Sequence, residues 1–283
     1  MIYITGDTHG GERLGLFSVD GALHRLSTRS FPEQKEMTRD DYVIVCGDFG
    51  CVWEYDSRYD PTMSAWGTYL GGAHGESEQE KYWLDQLEKK PFTLLFCDGN
   101  HENYDRLEGA YPEVDYAGGR AHRIRENVFH LMRGYVFTVD GAKIFVFGGA
   151  RSHDIADGIV RPYEYASREA YREARRRLDR AHKQYRVEHI SWWEREMPSE
   201  EEMARGRASL AAHQNRVDFV VSHEAPQSVA GAMGFGSPDP LSRYLQEISE
   251  EASYEKWFFG HYHDNRQIFG KFVELYEQIV RIR

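Results

Sequence analysis

Five short polar runs, each placed directly after an apolar stretch, constrain the fold of this chain more than any other feature. The runs are GDTHG, GDFG, DGNHE, SHEAP and GHYH, and they follow IYIT, DYVIVC, FTLLFC, VDFVV and KWFF. Stretches of four to six β-branched, aromatic and aliphatic residues are typical of buried strands. Because ligands of α/β sheets gather beyond the carboxyl ends of strands, we expect the five runs to share one crevice.

Seven side chains of these runs are the predicted metal ligands, and none of them is cysteine: Asp7, His9, Asp48, Asn100, His223, His261 and His263. Carboxylate, amide and imidazole ligands without thiolate disfavour a closed structural zinc site and suit an open site for manganese, iron or zinc. Seven ligands are too many for one catalytic ion that keeps a position free for water, so we expect two ions. Asp48 is the expected bridge, because a carboxylate offers two oxygens whereas an imidazole offers one lone pair.

The expected pair of metal ions indicates the type of reaction. Ions about 3.5–4 Å apart clamp the attacking and leaving oxygens of an in-line displacement and lower the pKa of bound water. Phosphoester hydrolysis needs both effects, so the pattern predicts a hydrolase in which a metal-bound hydroxide attacks phosphorus directly. His101 follows Asn100 in the chain, and its imidazole, with an ordinary pKa of about 6.5, suits proton donation to the leaving group. We therefore expect His101 to be the general acid.

The ordered series DxH, GD, GNHE, a single His and GHxH resembles the signature of the calcineurin-like metallophosphoesterase superfamily. The resemblance extends from Asp7 to His263, and the spans FHLMRGYVF, KIFVFGGARSHD and SWWEREMPSEEE further resemble a bacterial subset. It implies an α/β fold, a four-layer αββα sandwich of two mixed β-sheets flanked by helices. It implies two divalent ions per chain, with Mn²⁺ favoured and iron, zinc or nickel as alternatives. One ion would be surrounded by Asp7, His9 and His263, the other by Asn100, His223 and His261, with Asp48 shared and Asn100 also near the phosphate.

One departure from this signature concerns the protein phosphatase branch of the superfamily. There the second motif reads GDxxDRG, with an Asp that orients the acid histidine and an Arg for phosphate. Cys51 and Val52 stand at those two places, which disfavours a protein phosphatase. What orients His101 stays open: Asp98 and Glu102 are nearby in sequence, but neighbours along a strand end usually diverge, so we favour neither.

The motifs run from end to end of the 283 residues, which predicts one domain, 1–283, with one site assembled from the whole chain. A helical insertion is expected at about 151–215. Within it, residues 166–186 predict a helix with eight basic residues, the last being Arg186, and a second helix is expected to begin near Ser199. We interpret the pair as a helical hairpin with a solvated cationic face, and a lid or docking helix for an anionic partner is the alternative.

Arg151 is a candidate substrate-binding residue outside the five runs. It follows the apolar stretch KIFVF and a flexible GGA turn, which lets a side chain approach an anion closely. The alternative is a surface ion pair, although Arg often clamps phosphate through two hydrogen bonds. We assign no role to its neighbours His153 and Asp154, because the predicted ligand set is already complete.

Charge and cysteine content bear on partners and compartment. The formal charge is −11, from 46 acidic and 35 basic residues, and no basic face for nucleic acid is visible near the motifs. Two divalent ions would supply positive charge locally, so small phosphoesters are favoured over DNA or RNA. Three cysteines, an odd number, indicate reduced thiols and the cytoplasm. No secretory signal and no apolar run of about 18 residues is present, so we expect no membrane association; the oligomeric state stays open.

Two alternative functions are kept. A nuclease or a cyclic-nucleotide phosphodiesterase would use the same site and differ in pocket walls that the sequence does not reveal. A non-catalytic binding module would keep the fold without the chemistry. This last reading is disfavoured because such proteins generally lose ligands, and here all seven are present together with His101.

Overall fold

All five apolar stretches that precede the polar runs form strands in the computed structural model, which describes residues 1–10, 21–54 and 75–283. The strands are β1 (Ile2–Thr5), β2 (Tyr42–Val45), β3 (Thr93–Phe96), β11 (Phe219–Ser222) and β12 (Lys256–Phe259). In each, three or four of the four residues are buried. The prediction of five buried strands is confirmed.

The remaining strands of the described residues complete two large sheets and one small one. They are β4 (Glu113–Tyr116), β5 (Gly119–Arg125), β6 (Val128–Leu131), β7 (Tyr135–Val139), β8 (Ala142–Phe147), β9 (Ile159–Val160), β10 (Arg186–Val187), β13 (Arg266–Ile268), β14 (Phe272–Glu274) and β15 (Ile279–Arg281). The first sheet has the order β15-β1-β2-β3-β6-β5-β4 and the second has the order β13-β14-β12-β11-β8-β7. Each has a parallel centre, β1-β2-β3-β6 and β8-β11-β12-β14, with antiparallel strands outside it, so both are mixed.

Successive side chains of each strand point to opposite faces of its sheet, and this alternation places them in different layers of the fold. In β2, Ile44 points into a core shared by both sheets, whereas Val43 and Val45 point to the helices outside the first sheet. In β12, Phe258 lies in the shared core and Trp257 packs in the outer core of the second sheet. Successive side chains of a strand face opposite ways, so two stacked sheets bury their inner faces together and need helices outside. The predicted αββα architecture is confirmed.

The described residues form seven α-helices, all but the fourth of which occupy these two outer layers; the fourth packs against β9 and β10. The helices are α1 (Ala22–Arg25), α2 (Glu78–Glu88), α3 (Tyr104–Gly109), α4 (Arg168–Arg180), α5 (Glu200–Ala212), α6 (Gln227–Ala232) and α7 (Pro240–Glu251). Residues of α1, α2 and α3 pack on the first sheet, and residues of α5, α6 and α7 pack on the second. The predicted start of α5 is confirmed, because Ser199 is its N-cap and forms a capping box with Glu202.

The predicted helix over 166–186 is wrong in its last six residues. The helix α4 ends at Arg180, and His182 adopts a positive φ of 50°. The amide of Lys183 then donates to the carbonyl of Leu178, the bond that closes a Schellman motif and stops a helix. Beyond this cap the chain becomes extended and forms β10, which pairs with β9. The segment 151–215 is therefore not a simple helical hairpin, and Arg186 is a strand residue.

The cysteines and the lengths of the helices bear on the environment that the sequence predicts for the chain. Cys46, Cys51 and Cys97 are free and buried, as expected for reduced thiols. Across residues 1–10, 21–54 and 75–283, none of the helices is both long and apolar enough to cross a membrane.

Candidate metal centre

The polar runs follow parallel strands of both sheets, and their backbones are strained where they turn into the crevice. Four of the seven predicted ligands have a positive φ: His9 at 43°, Asp48 at 46°, His261 at 73° and His263 at 57°. A residue other than glycine in this region costs of order 1–3 kcal/mol, and such strain persists where the surrounding structure enforces it, often at functional sites. The fold therefore holds these four side chains in place at a cost in local backbone energy.

Glycines in the runs allow the runs to approach one another. A Cβ atom at Gly99 would overlap the carboxylate of Asp48, and one at Gly260 would overlap the carboxylate of Asp7. In each case the glycine of one run makes room for the acid of another. The glycines of the motifs are therefore required by close approach between segments far apart in sequence.

Four predicted ligands meet at one point. Asp7, His9, Asp48 and His263 offer ligand atoms that all lie within 4.8 Å of one another. The Nε2 atoms of His9 and His263 are 3.0 Å apart, and His263 Nε2 is 3.1 Å from Asp7 Oδ2. Two imidazole nitrogens bound at about 2.1 Å to one ion would lie roughly 3.0–3.4 Å apart. The donor set and its spacing fit a divalent ion.

The other three predicted ligands form a second group around His223. His223 Nε2 is 3.2 Å from Asp48 Oδ1 and 3.3 Å from Asn100 Oδ1, and the rings of His223 and His261 are 4.9 Å apart. The second oxygen of Asp48, Oδ2, is 3.9 Å from His9 Nε2. Asp48 thus turns one oxygen to each group of ligands, which is the arrangement expected of a bridge.

The imidazoles of this second group are oriented for ligation. His223 Nδ1 lies 2.8 Å from the carbonyl oxygen of Cys46, which can only accept, so Nδ1 carries a hydrogen and Nε2 faces Asp48. His261 Nε2 is buried and has no hydrogen-bond partner. A buried polar atom without a partner is costly, and an ion would satisfy it.

The electrostatics of the centre favour a cation. Burial lowers the pKa of His223, but the carboxylates of Asp48 and Asp7 outweigh burial and raise the pKa to about 10. Burial likewise raises the pKa of Asp48, but His223 and His101 hold it well below its ordinary value. Burial and the charge of His223 depress the pKa of His261, which keeps its lone pair free of a proton. The carboxylates therefore attract positive charge, which two divalent ions would provide.

His101 is held beside the centre by contacts that the sequence did not reveal. Its backbone amide donates to Asp48 Oδ1 over 2.8 Å, and its ring stacks on Trp53 at 5.7 Å between centroids. Its Nε2 lies 3.1 Å from Nη2 of Arg186, a buried residue of β10. Neither Asp98 nor Glu102, its acidic neighbours in sequence, makes this contact.

Both of those carboxylates are engaged elsewhere. Glu102 accepts hydrogen bonds from the backbone amides of Phe49 and Gly99, so it joins the second and third runs. Asp98 accepts from Arg133 and Tyr104. Arg186, a residue that does contact the predicted acid, comes from the segment 151–215, for which the sequence suggested no ligand.

A cavity of about 610 Å³ adjoins the His261 side of the centre. Arg151, His153 and Tyr262 are among its lining residues, and Arg151 is exposed to it. The ring of His153 stacks on His261 with centroids 4.3 Å apart. The volume of the cavity is in the range of small-molecule binding sites. The structure places His153 and Asp154, to which the sequence assigned no role, beside His261 and Arg186 respectively.

Comparison with known proteins agrees with these features. The family model described as calcineurin-like phosphoesterase matches residues 1–265, which include all seven predicted ligands and His101. Among curated proteins, none matches the chain.

Proposed function

Because the chain belongs to the calcineurin-like phosphoesterase family, we propose that it is a phosphoester hydrolase that depends on two divalent metal ions. The observation that carries this proposal is the cluster of Asp7, His9, Asp48 and His263, whose ligand atoms lie within 4.8 Å of one another, with His223 Nε2 3.2 Å from Asp48 Oδ1. Oxygen and nitrogen ligands without thiolate favour Mn²⁺, with iron, zinc or nickel as alternatives. The single domain 1–283 and an insertion at about 151–215 are part of the same proposal.

The ligands divide into two sets that share Asp48. Asp7, His9 and His263 would hold one ion. Asn100, His223 and His261 would hold the other, with Asn100 also close to the phosphate. When bound, the ions supply positive charge to the phosphoryl oxygens and lower the pKa of water.

The protein's own side chains would position and protonate the substrate. His101, held over Asp48 by its backbone amide, would give its proton to the leaving oxygen. Arg151 would contact the substrate from the cavity next to His261. The formal charge of −11 supports small phosphoesters rather than nucleic acid as substrates. The three free cysteines support a reducing compartment, the cytoplasm.

Metal analysis combined with two assays tests this function. We expect the protein purified with Mn²⁺ to bind two ions per chain and to hydrolyse p-nitrophenyl phosphate, and chelation to abolish the turnover. Hydrolysis of bis(p-nitrophenyl) phosphate alone would instead support a nuclease or a cyclic-nucleotide phosphodiesterase. Two bound ions without turnover of either ester would support a binding module, and retention of one ion at most would contradict the dinuclear centre.

A further inference from the structure

Arg186 brings a positive charge to the predicted acid from a distant part of the chain. Its side chain is 9% exposed, and its Nη2 lies 3.1 Å from His101 Nε2. Two further contacts fix the guanidinium: Nε donates to Asp154 over 2.6 Å and Nη1 donates to the carbonyl oxygen of Ser191 over 2.9 Å. Three of its nitrogens are thus held, and the Nη2 edge is directed to the centre.

The contact between Arg186 and His101 has a chemical consequence. A guanidinium has donors only, so His101 Nε2 must act as the acceptor and cannot carry a hydrogen while the contact lasts. A neutral imidazole is a weaker partner for a guanidinium than an anionic oxygen, which forms shorter and stronger charge-assisted bonds. A phosphoryl oxygen that enters the centre would therefore displace His101 as the acceptor, and Nε2 would be free to take up from solvent the proton that the acid later donates.

The ion pair with Asp154 does not prevent Arg186 from binding a phosphoryl oxygen. Asp154 accepts from Nε rather than from Nη2, and its side chain is 54% exposed, so water screens its charge. Arg186 itself is buried, and charge in a poorly solvated place acts more strongly on a neighbouring anion. The geometry suits an arginine that is held in position before its anion arrives.

We propose that Arg186 binds the phosphoryl group of the substrate, and that the centre is built for phosphomonoesters. The proposal rests on the hydrolase function proposed above and makes it more specific. A monoester carries up to two negative charges on three terminal oxygens, whereas a diester carries one charge on two. A fixed cation beside the acid that protonates the leaving group would therefore bind a monoester more tightly than a diester. Arg151, which is exposed, contributes from the cavity side.

Binding of inorganic phosphate, the product of monoester hydrolysis, tests the role of Arg186 without turnover. The variants are Arg186→Met, which keeps the aliphatic stem, and Arg186→Gln, which keeps a polar head. Arg180→Met is the matched control, because Arg180 lies in the same segment with its side chain 70% exposed. With Mn²⁺ at saturation, we expect both Arg186 variants to keep two ions and to bind phosphate roughly 10- to 100-fold more weakly by calorimetry, the usual effect of losing one charged hydrogen bond.

The assays on the two aryl esters complete the test. We expect kcat/KM of the Arg186 variants to fall more for p-nitrophenyl phosphate than for bis(p-nitrophenyl) phosphate, and Arg180→Met to behave as the wild type. Phosphate binding as tight as in the wild type by either folded Arg186 variant would overturn the binding role, even if turnover fell. An equal fall for both esters would overturn the assignment to monoesters. A wild-type protein without metal or turnover would instead refute the underlying hydrolase function.

Discussion

Asp98 anchors the loop that carries Asn100 and His101, and its replacement by Asn should destabilise the protein strongly. Its side chain is 1% exposed. It accepts hydrogen bonds from Arg133 Nε over 2.7 Å and from the Tyr104 hydroxyl over 2.8 Å, and His130 Nε2 lies 3.0 Å away. The guanidinium of Arg133 also contacts it through Nη2.

The expected loss follows from these contacts. An Asn keeps one acceptor oxygen but removes the charge, and its amide nitrogen cannot accept from the guanidinium of Arg133. Arg133, 3% exposed, would then lose most of its compensation. Removing one partner of a buried ion pair typically costs about 3–5 kcal/mol, so we expect a loss of that size in the free energy of unfolding. The matched control is Asp115→Asn, since Asp115 pairs with Arg120 but is 90% exposed, and we expect a loss of at most about 1 kcal/mol.

The pH dependence of this effect has a definite sign. Burial raises the pKa of Asp98, but Arg133 and His130 outweigh burial and hold the pKa well below its ordinary value. A carboxylate with a depressed folded-state pKa stabilises the protein above its unfolded-state pKa of about 3.9 and loses that contribution as the pH falls toward the folded-state value. The difference between wild type and Asp98→Asn should therefore be constant from pH 7 to about pH 5 and shrink below about pH 4.

Urea unfolding in the presence of a chelator measures the effect, because bound metal would otherwise add its own stabilisation. The double variant Asp98→Asn/Arg133→Met should lose less than the sum of the single losses, since it leaves no unpaired charge. A loss below about 1 kcal/mol for Asp98→Asn, or one equal to that of Asp115→Asn, would refute the reasoning.

Three further predictions concern the centre itself. His101→Ala should keep both ions and lower kcat about 10²- to 10⁴-fold for phenyl phosphate, but less for p-nitrophenyl phosphate, whose leaving group needs no proton; equal slowing of the two esters would count against an acid role. Asp48→Asn should lower occupancy of both ion sites, whereas His223→Ala should mainly lower one, as metal analysis by mass spectrometry would reveal; loss of a single ion in Asp48→Asn would argue against a bridge. Arg151→Ala should raise KM for p-nitrophenyl phosphate several-fold at full metal content, as expected when a charged hydrogen bond to substrate is lost, and unchanged kinetics would remove Arg151 from the site.

The secondary-structure prediction was right where local patterns are strong and wrong where a tertiary contact decides. The five buried strands and the start of α5 follow from apolar runs and from the Ser199 cap, both of which act within a few residues. The helix expected through Arg186 fails because residues 181–186 have helical composition, while the turn at His182 and the pairing of β10 with β9 draw the chain into a strand.

The amino-acid sequence by itself determined the buried strands and the candidate ligands, because each depends on a short pattern: an apolar run, and a polar run at its end. The layered fold followed from the family resemblance that the ordered motifs carry. Only the tertiary structure decided which groups surround those ligands. Asp98 pairs with Arg133, His153 with the ring of His261, and Arg186 with His101, 85 positions away. Such contacts depend on how whole sheets and the segment 151–215 pack together. Residues that are close in space but distant along the chain produce no local sequence pattern, so the sequence does not predict their contacts.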